Sequence, residues 1–191
     1  MAMEKLDVTE TTVVARPRDV VSQAQEQAKV LLEIVEAQGL YANIQGKRYL
    51  MAEAWETIGA FNHVGTDTEW VKPIVDPDGK TTAWEAKVNL VHRQHGNTVG
   101  SAIMSCGMDE FPTKGKSGEA ANKAARSAAQ TWAASKAYRM NYSWVVVLAG
   151  FEPTPASEMM TDSPPAKKRQ QQPQEPRTAP EQGKSGVPVT L

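Results

Sequence analysis

The sequence predicts an α+β fold: an N-terminal helix, a short turn and helix, a three-stranded antiparallel meander, a long basic C-terminal helix and a disordered tail. Three observations carry that prediction. Apolar residues step by three or four between Val21 and Val35, the spacing of one helix face. Residues 81–93 alternate strictly between two tight-turn sequences, as a half-buried strand does. An alanine-rich run punctuated by cations then fills residues 119–142.

Each element follows in order. Asp19 can cap the first helix, whose apolar stripe is Val21, Ala24, Ala28, Leu31 and Val35, and Gly39 can end it. Residues 41–50 suit a short extended segment with a tight turn at Gly46. AEAWETIGAF, residues 52–61, has helical spacing at Ala52, Trp55 and Ile58. EWVKPIVD leads into the turn Asp76-Pro77-Asp78-Gly79, and Pro73 marks an edge or bulged strand. In TTAWEAKVNLVHR, Trp84, Ala86, Val88 and Leu90 share one face, with Glu85, Lys87, Asn89 and Arg93 on the other. Gln94-His95-Gly96-Asn97 turns the chain into TVGSAIMSCGM. Two such tight turns require antiparallel pairing, because parallel strands need long crossovers. WVVVLAG, residues 144–150, suits a strand by its β-branched residues and a helical extension by its position.

The ends read as disordered. Residues 152–191 hold eight of the twelve prolines and the run Gln170-Gln171-Gln172, without apolar periodicity. Residues 1–18 are polar and finish near Arg16-Pro17. The folded domain is therefore expected over 19–151, within a chain of 191 residues. The net charge is −1, so any basic patch must be local. The single cysteine, Cys106, excludes an internal disulfide and fits a reducing compartment. No apolar run reaches the ~18 residues of a membrane span, and the polar, acidic start MAMEKLDVTE is unlike a signal peptide. A soluble, cytoplasmic protein is expected.

Catalytic and nucleotide-binding signals fail on inspection. Gly115-Lys116-Ser117 spells part of a phosphate loop, but that motif needs glycine at position 110, which is Glu110. Gly183-Lys184-Ser185-Gly186 repeats the letters in the tail. His92 and His95, with Asp109, Glu110 and Cys106, offer metal-ligand chemistry for a nuclease. An offset of three along a strand, however, points the two histidines to opposite faces, and His63 stands isolated in sequence. No enzyme, cofactor or metal site is expected.

The remaining signal is basic. Lys123, Arg126, Lys136 and Arg139 face one acid, Glu119, along the final helix, with Lys114 and Lys116 in the loop before it. At 100° per residue, Lys123 and Arg126 lie nearly opposite Lys136 and Arg139, so a straight helix presents the pairs to two different partners. Lys47-Arg48 adds a basic pair at the glycine turn. With Lys87 and Arg93 on the outward strand face, these cations are expected to line a groove that tracks a nucleic-acid backbone.

The order of these motifs resembles the Rad-fifty-two-type annealing proteins. NIQGKRYLMAEAWETIGAF is similar to their extended segment, glycine turn, basic residue and short helix. EWVKPIVDPDGKTTAWEAKVNLVHRQHGNTVGSAIMSCGMDE is similar to their meander, and Arg126 to Arg139 carries the string R-S-x-A-Q-T-x-A-x-x-K-A-x-R of phage single-strand annealing proteins. The resemblance spans residues 20–151. It implies an ATP-independent ring or filament that binds single-stranded DNA and anneals complementary strands in homologous recombination and double-strand break repair. Lys47 or Arg48, Lys123, Arg126, Lys136 and Arg139 would be its DNA-binding cations. Ser135-Lys136 departs from the two adjacent cations frequent in the family. The tail, with Lys167-Lys168-Arg169, would recruit a single-strand-binding protein or an exonuclease, or serve as a bare linker. The alternative is a double-stranded-RNA-binding module, which shares the helix, meander and helix order and a Gly/Ser/Lys-rich loop before its basic helix.

Overall fold

The computed structural model describes residues 16–159. The expected arm before Arg16 and the tail beyond Met159, with Lys167-Lys168-Arg169, the glutamine run and Gly183–Gly186, lie outside the described residues. The architecture is α+β. Helix α1 (Pro17–Gln38) is followed by a β1–β2 hairpin (Tyr41–Ile44, Lys47–Leu50) and helix α2 (Ala52–Phe61). The antiparallel sheet β3-β4-β5 (Val64–Val75, Thr81–His92, Thr98–Gly107) comes next. A 31-residue helix α3 (Gly118–Leu148) and a single turn α4 (Ala156–Met159) complete it.

Local chemistry fixes the boundaries. α1 starts at Pro17, two residues before the expected cap, because proline's fixed φ and missing N–H suit the first helical turn. Asp19 sits inside that turn, where a carboxylate favours the positive end of the helix dipole. Gly39 ends α1 in the left-handed conformation at φ 64°. Gln45 and Gly46 both have positive φ, 53° and 78°, the pattern of the two-residue hairpin turn. β3 begins at Val64, five residues before EWVKPIVD. His63, at φ 54°, turns the chain out of α2 directly into a strand that pairs along all of β4. The expected irregularity of this strand appears as register shifts after Thr68 and Ile74.

The open choice over 144–150 resolves to helix through Leu148. Val145 and Val146 are buried while Trp144, Val147 and Leu148 are exposed, so a helical stripe packs inward despite the weak helix propensity of valine. The ordered chain also runs past 151. Glu152 N–H donates to the Arg48 carbonyl at 2.9 Å, and Pro155 and Ala156 are buried beside Ala42 and Tyr49 of the hairpin. A few apolar side chains in a proline-rich stretch find a local partner there, which composition averaged over forty residues conceals.

Two larger apolar clusters make the core. One joins α1, α2 and the second half of α3 through Leu31, Trp55, Ile58, Tyr138 and Val146, reaching Leu90 and Ala102 of the sheet. The other seats Ala125, Ala128, Ala129 and Ala133 of α3 on Ala86, Val88 and Cys106. Alanine on the helix lets its backbone approach the sheet closely. Cys106 is fully buried, and burial, with Glu110 nearby, pushes its thiol up to about 12. The thiolate is the reactive form. Cys106 should therefore resist a thiol-labelling reagent in the native protein and react promptly after denaturation. Rapid native labelling would show that the second cluster opens.

Candidate nucleic-acid interface

The sheet has one covered face and one open face, and strand alternation decides which side chain goes where. Trp84, Ala86, Val88 and Leu90 point toward α3, with register partners Cys106, Met104, Ala102 and Gly100 on β5. Lys87, Glu85 and Asn89 consequently point away from α3. The expected groove between the Lys87 face and the basic helix does not form, because the helix covers the apolar face. On the outer face, Lys87 Nζ lies 2.8 Å from Glu69 and Lys72 lies 3.5 Å from Glu85. Hydrogen bonds from Lys87 and then Asn89 hold the Glu69 carboxyl below its ordinary value. That face is crossed by neutralised pairs.

Several sequence-predicted cations serve the fold itself. Arg48 pairs with Glu36 of α1, and its guanidinium stacks over Tyr41 at 4.5 Å and Phe151 at 4.2 Å. Lys47 lies 3.3 Å from Glu152. Together they fasten the hairpin to α1 and to the segment after α3. Arg139 pairs at 2.9 Å with Glu158 of α4, and both side chains are largely covered. Lys136, half-buried, places Nζ 3.3 Å from the Met104 sulfur. Arg93 is exposed at the far end of β4, its side chain against Gly65.

Lys123 and Arg126 differ from all of these. Both are exposed, and among the described residues neither pairs with a carboxylate. Arg126 lies 5.7 Å from the Trp84 ring centroid, and the Trp84 indole N–H donates to Asn122 Oδ1 at 3.0 Å. Asn122 and Arg126, four residues apart, share one edge of α3. They flank a half-buried indole whose neighbour in register is Pro73 of β3.

Beside this corner the sheet is uncovered. α3 lies mainly over β4 and β5, and on the same-facing side of β3 it covers Val71 but leaves the residues on either side of it open. Thr66, Thr68 and Pro73 are exposed, whereas Leu90 and Val88, partners of the two threonines, are buried. The result is a ledge along β3, walled on one side by α3, with Trp84, Asn122, Arg126 and Lys123 at one end. Hydroxyl donors, an aromatic face and mobile cations are what a nucleic-acid strand engages without reading sequence.

The loop spelling Gly-Lys-Ser is occupied by its own contacts. Lys116 Nζ donates to the Pro112 carbonyl at 2.8 Å, and buried Thr113 donates to the Gly107 carbonyl at 2.8 Å. Glu110, standing where a phosphate loop needs glycine, accepts the Gly107 N–H in a short hydrogen bond. The histidines correct the sequence reading. His92 is the last residue of β4, and the following turn folds His95 back so that the rings stack at 4.5 Å, with His63 6.3 Å from His92. Alternation applies only while the chain remains a strand. Asp109 and Glu110 follow the opposite end of β5, roughly 30 Å away at ~3.3 Å per residue. Among the described residues no group of three or more His, Cys, Asp or Glu is placed to hold a metal ion, and no helix is long and apolar enough to cross a membrane.

Sequence reasoning placed Trp84 on the covered face and overlooked its role at the rim. The signal available was a tryptophan at the start of a stripe that continues Ala86, Val88: a ring too large for a helix seated on alanine to cover. Asn122 and the β3 threonines carried no such mark. Compared with protein-family models, curated proteins and solved structures, the chain matches none, so the interface rests on its own geometry.

Proposed function

We propose that the protein binds single-stranded DNA along the β3 ledge and anneals complementary strands without nucleotide hydrolysis, acting as a self-associated assembly in recombination and repair. The observation that carries this reading is Arg126, set beside the Trp84 ring at the open end of the ledge, with exposed Lys123 three residues before it and neither paired with a carboxylate among the described residues. Phosphate contacts from such cations release counterions and give affinity without sequence preference. An aromatic face adds ~1–3 kcal/mol for each base it stacks.

A strand held by its backbone keeps its base edges free to test a complement. Pairing then supplies the driving free energy, roughly 1.4 kcal/mol per stacked step. Self-association draws support from a shallow apolar groove of about 410 Å³ lined by Val21, Ser143, Trp144, Val147 and Leu148. Those side chains belong to α1 and α3, on elements whose other faces build the core.

The test is direct. Purified protein should speed annealing of two complementary oligonucleotides without ATP, and light scattering should give a mass of several chains. Annealing at the spontaneous rate together with tight binding of duplex RNA would instead favour the double-stranded-RNA module.

A further inference from the structure

All three histidines of the chain meet at the end of the sheet opposite Trp84. His63 ends the α2–β3 turn, His92 ends β4, and His95 lies in the β4–β5 turn. His92 and His95 stack with planes 22° apart, and His63 tilts toward His92 at 55°. His63 and His95 are exposed, as is Arg93 between the last two, whose N–H donates to the His63 carbonyl at 2.8 Å. We propose that His63, His92 and His95, with Arg93 beside them, form a second phosphodiester contact for the bound strand, one that strengthens by taking up protons. It rests on the single-strand reading above.

The chemistry follows from the arrangement. The Gln94 N–H donates to His92 Nδ1 at 3.3 Å, which leaves Nε2 as the ring atom free to meet a phosphate oxygen. Charging both stacked rings sets like charges about one ring-spacing apart, and an anion arriving between them and Arg93 removes that cost. The charged and titratable groups that interact at this end of the sheet are Arg93, Glu56 of α2, and Tyr138 and Tyr142 of α3. Glu56 and Arg93 act on the Tyr138 phenol in opposite senses, while burial pushes it up to about 12 and raises Tyr142 too. Both phenols therefore stay neutral while imidazole titrates. A bound phosphate favours the charged imidazole, so binding and proton uptake strengthen each other. The added affinity is present at low pH and is lost as pH rises through the imidazole range. Eight residues of β4 separate His92 from Trp84, ~26 Å at ~3.3 Å per residue, a span that one strand lying along the ledge can bridge.

The experiment measures binding of the full chain to labelled oligothymidylate longer than ~16 nucleotides, the upper site size of single-strand modules. Chelator is present throughout, and salt titrations are run at about pH 6 and about pH 8, either side of the ordinary imidazole range. Thymine does not titrate in this window. Affinity should rise toward the lower pH, by at most about tenfold per pH unit for each proton captured. The salt slope should steepen by ~0.7 per added cation. In H92Q/H95Q, checked for an unchanged melting temperature, the ratio of the two affinities should fall toward one. Wild-type protein that binds equally, with one salt slope, at both pH values overturns the histidine contact and leaves the single-strand reading standing. So does a double variant that keeps the gain. Absence of binding at either pH overturns both.

Discussion

Alanine at Trp55 is expected to lower the free energy of unfolding by about 3–5 kcal/mol, the range for removing a fully buried aromatic. Trp55 is inaccessible to solvent at the centre of the cluster joining α1, α2 and α3, beside Leu31, Ile58 and Val146. Domains of this size are stable by only ~5–15 kcal/mol, so the variant should melt far below the wild type or fail to fold. Its indole N–H has no hydrogen-bond partner among the described residues. An orphaned buried donor costs ~1–3 kcal/mol, so Trp55→Phe, which keeps an aromatic and removes the donor, should lose much less. Urea unfolding of the three proteins checks both statements. A wild-type midpoint for W55A would mean that this cluster does not hold the helices together.

Reversing charge at Lys123 and Arg126 is expected to give the largest loss of strand binding. Deleting two phosphate contacts lowers the salt slope by ~1.4, at ~0.7 per contact for a single strand, and two carboxylates in their place repel the backbone further. Because both side chains are exposed and neither meets a carboxylate among the described residues, K123E/R126E should keep the wild-type melting temperature. R139A makes the contrasting case, since Arg139 is paired with Glu158 and anchors α4. Its effect should show in protection of residues 152–159 from hydrogen exchange, with a smaller change in salt slope. If R139A abolishes the salt dependence while K123E/R126E leaves it intact, the strand runs along the other side of α3.

Much of the fold was legible because its signals are local. Gly39, the Asp76–Gly79 turn and the alternation from Thr81 to His92 each state their geometry within a few residues. Ion pairing was not, since Arg48 meets Glu36, Lys47 meets Glu152 and Arg139 meets Glu158, partners that no short window reveals. The number of cations spaced along a chain therefore overstates how many face a ligand. One error was avoidable. The alternation that turns Trp84, Ala86 and Val88 toward a helix also turns Lys87 away from it. A single groove uniting Lys87 with the α3 cations contradicted the strand period from which both were read. The stacked histidines mark the converse case, where a strand rule was carried three residues past the end of the strand, from His92 to His95.

α3 runs for ~46 Å at 1.5 Å per residue and belongs to both large clusters, its alanines to the sheet and its second half to the helical core. It is the shared spine of two half-cores. The meander and the short hairpin close between neighbouring segments, whereas α3 packs on elements far from it in sequence. A ribosome must therefore release the first half of the helix before the sheet half-core can be sealed, and nearly all of it before the helical half-core can.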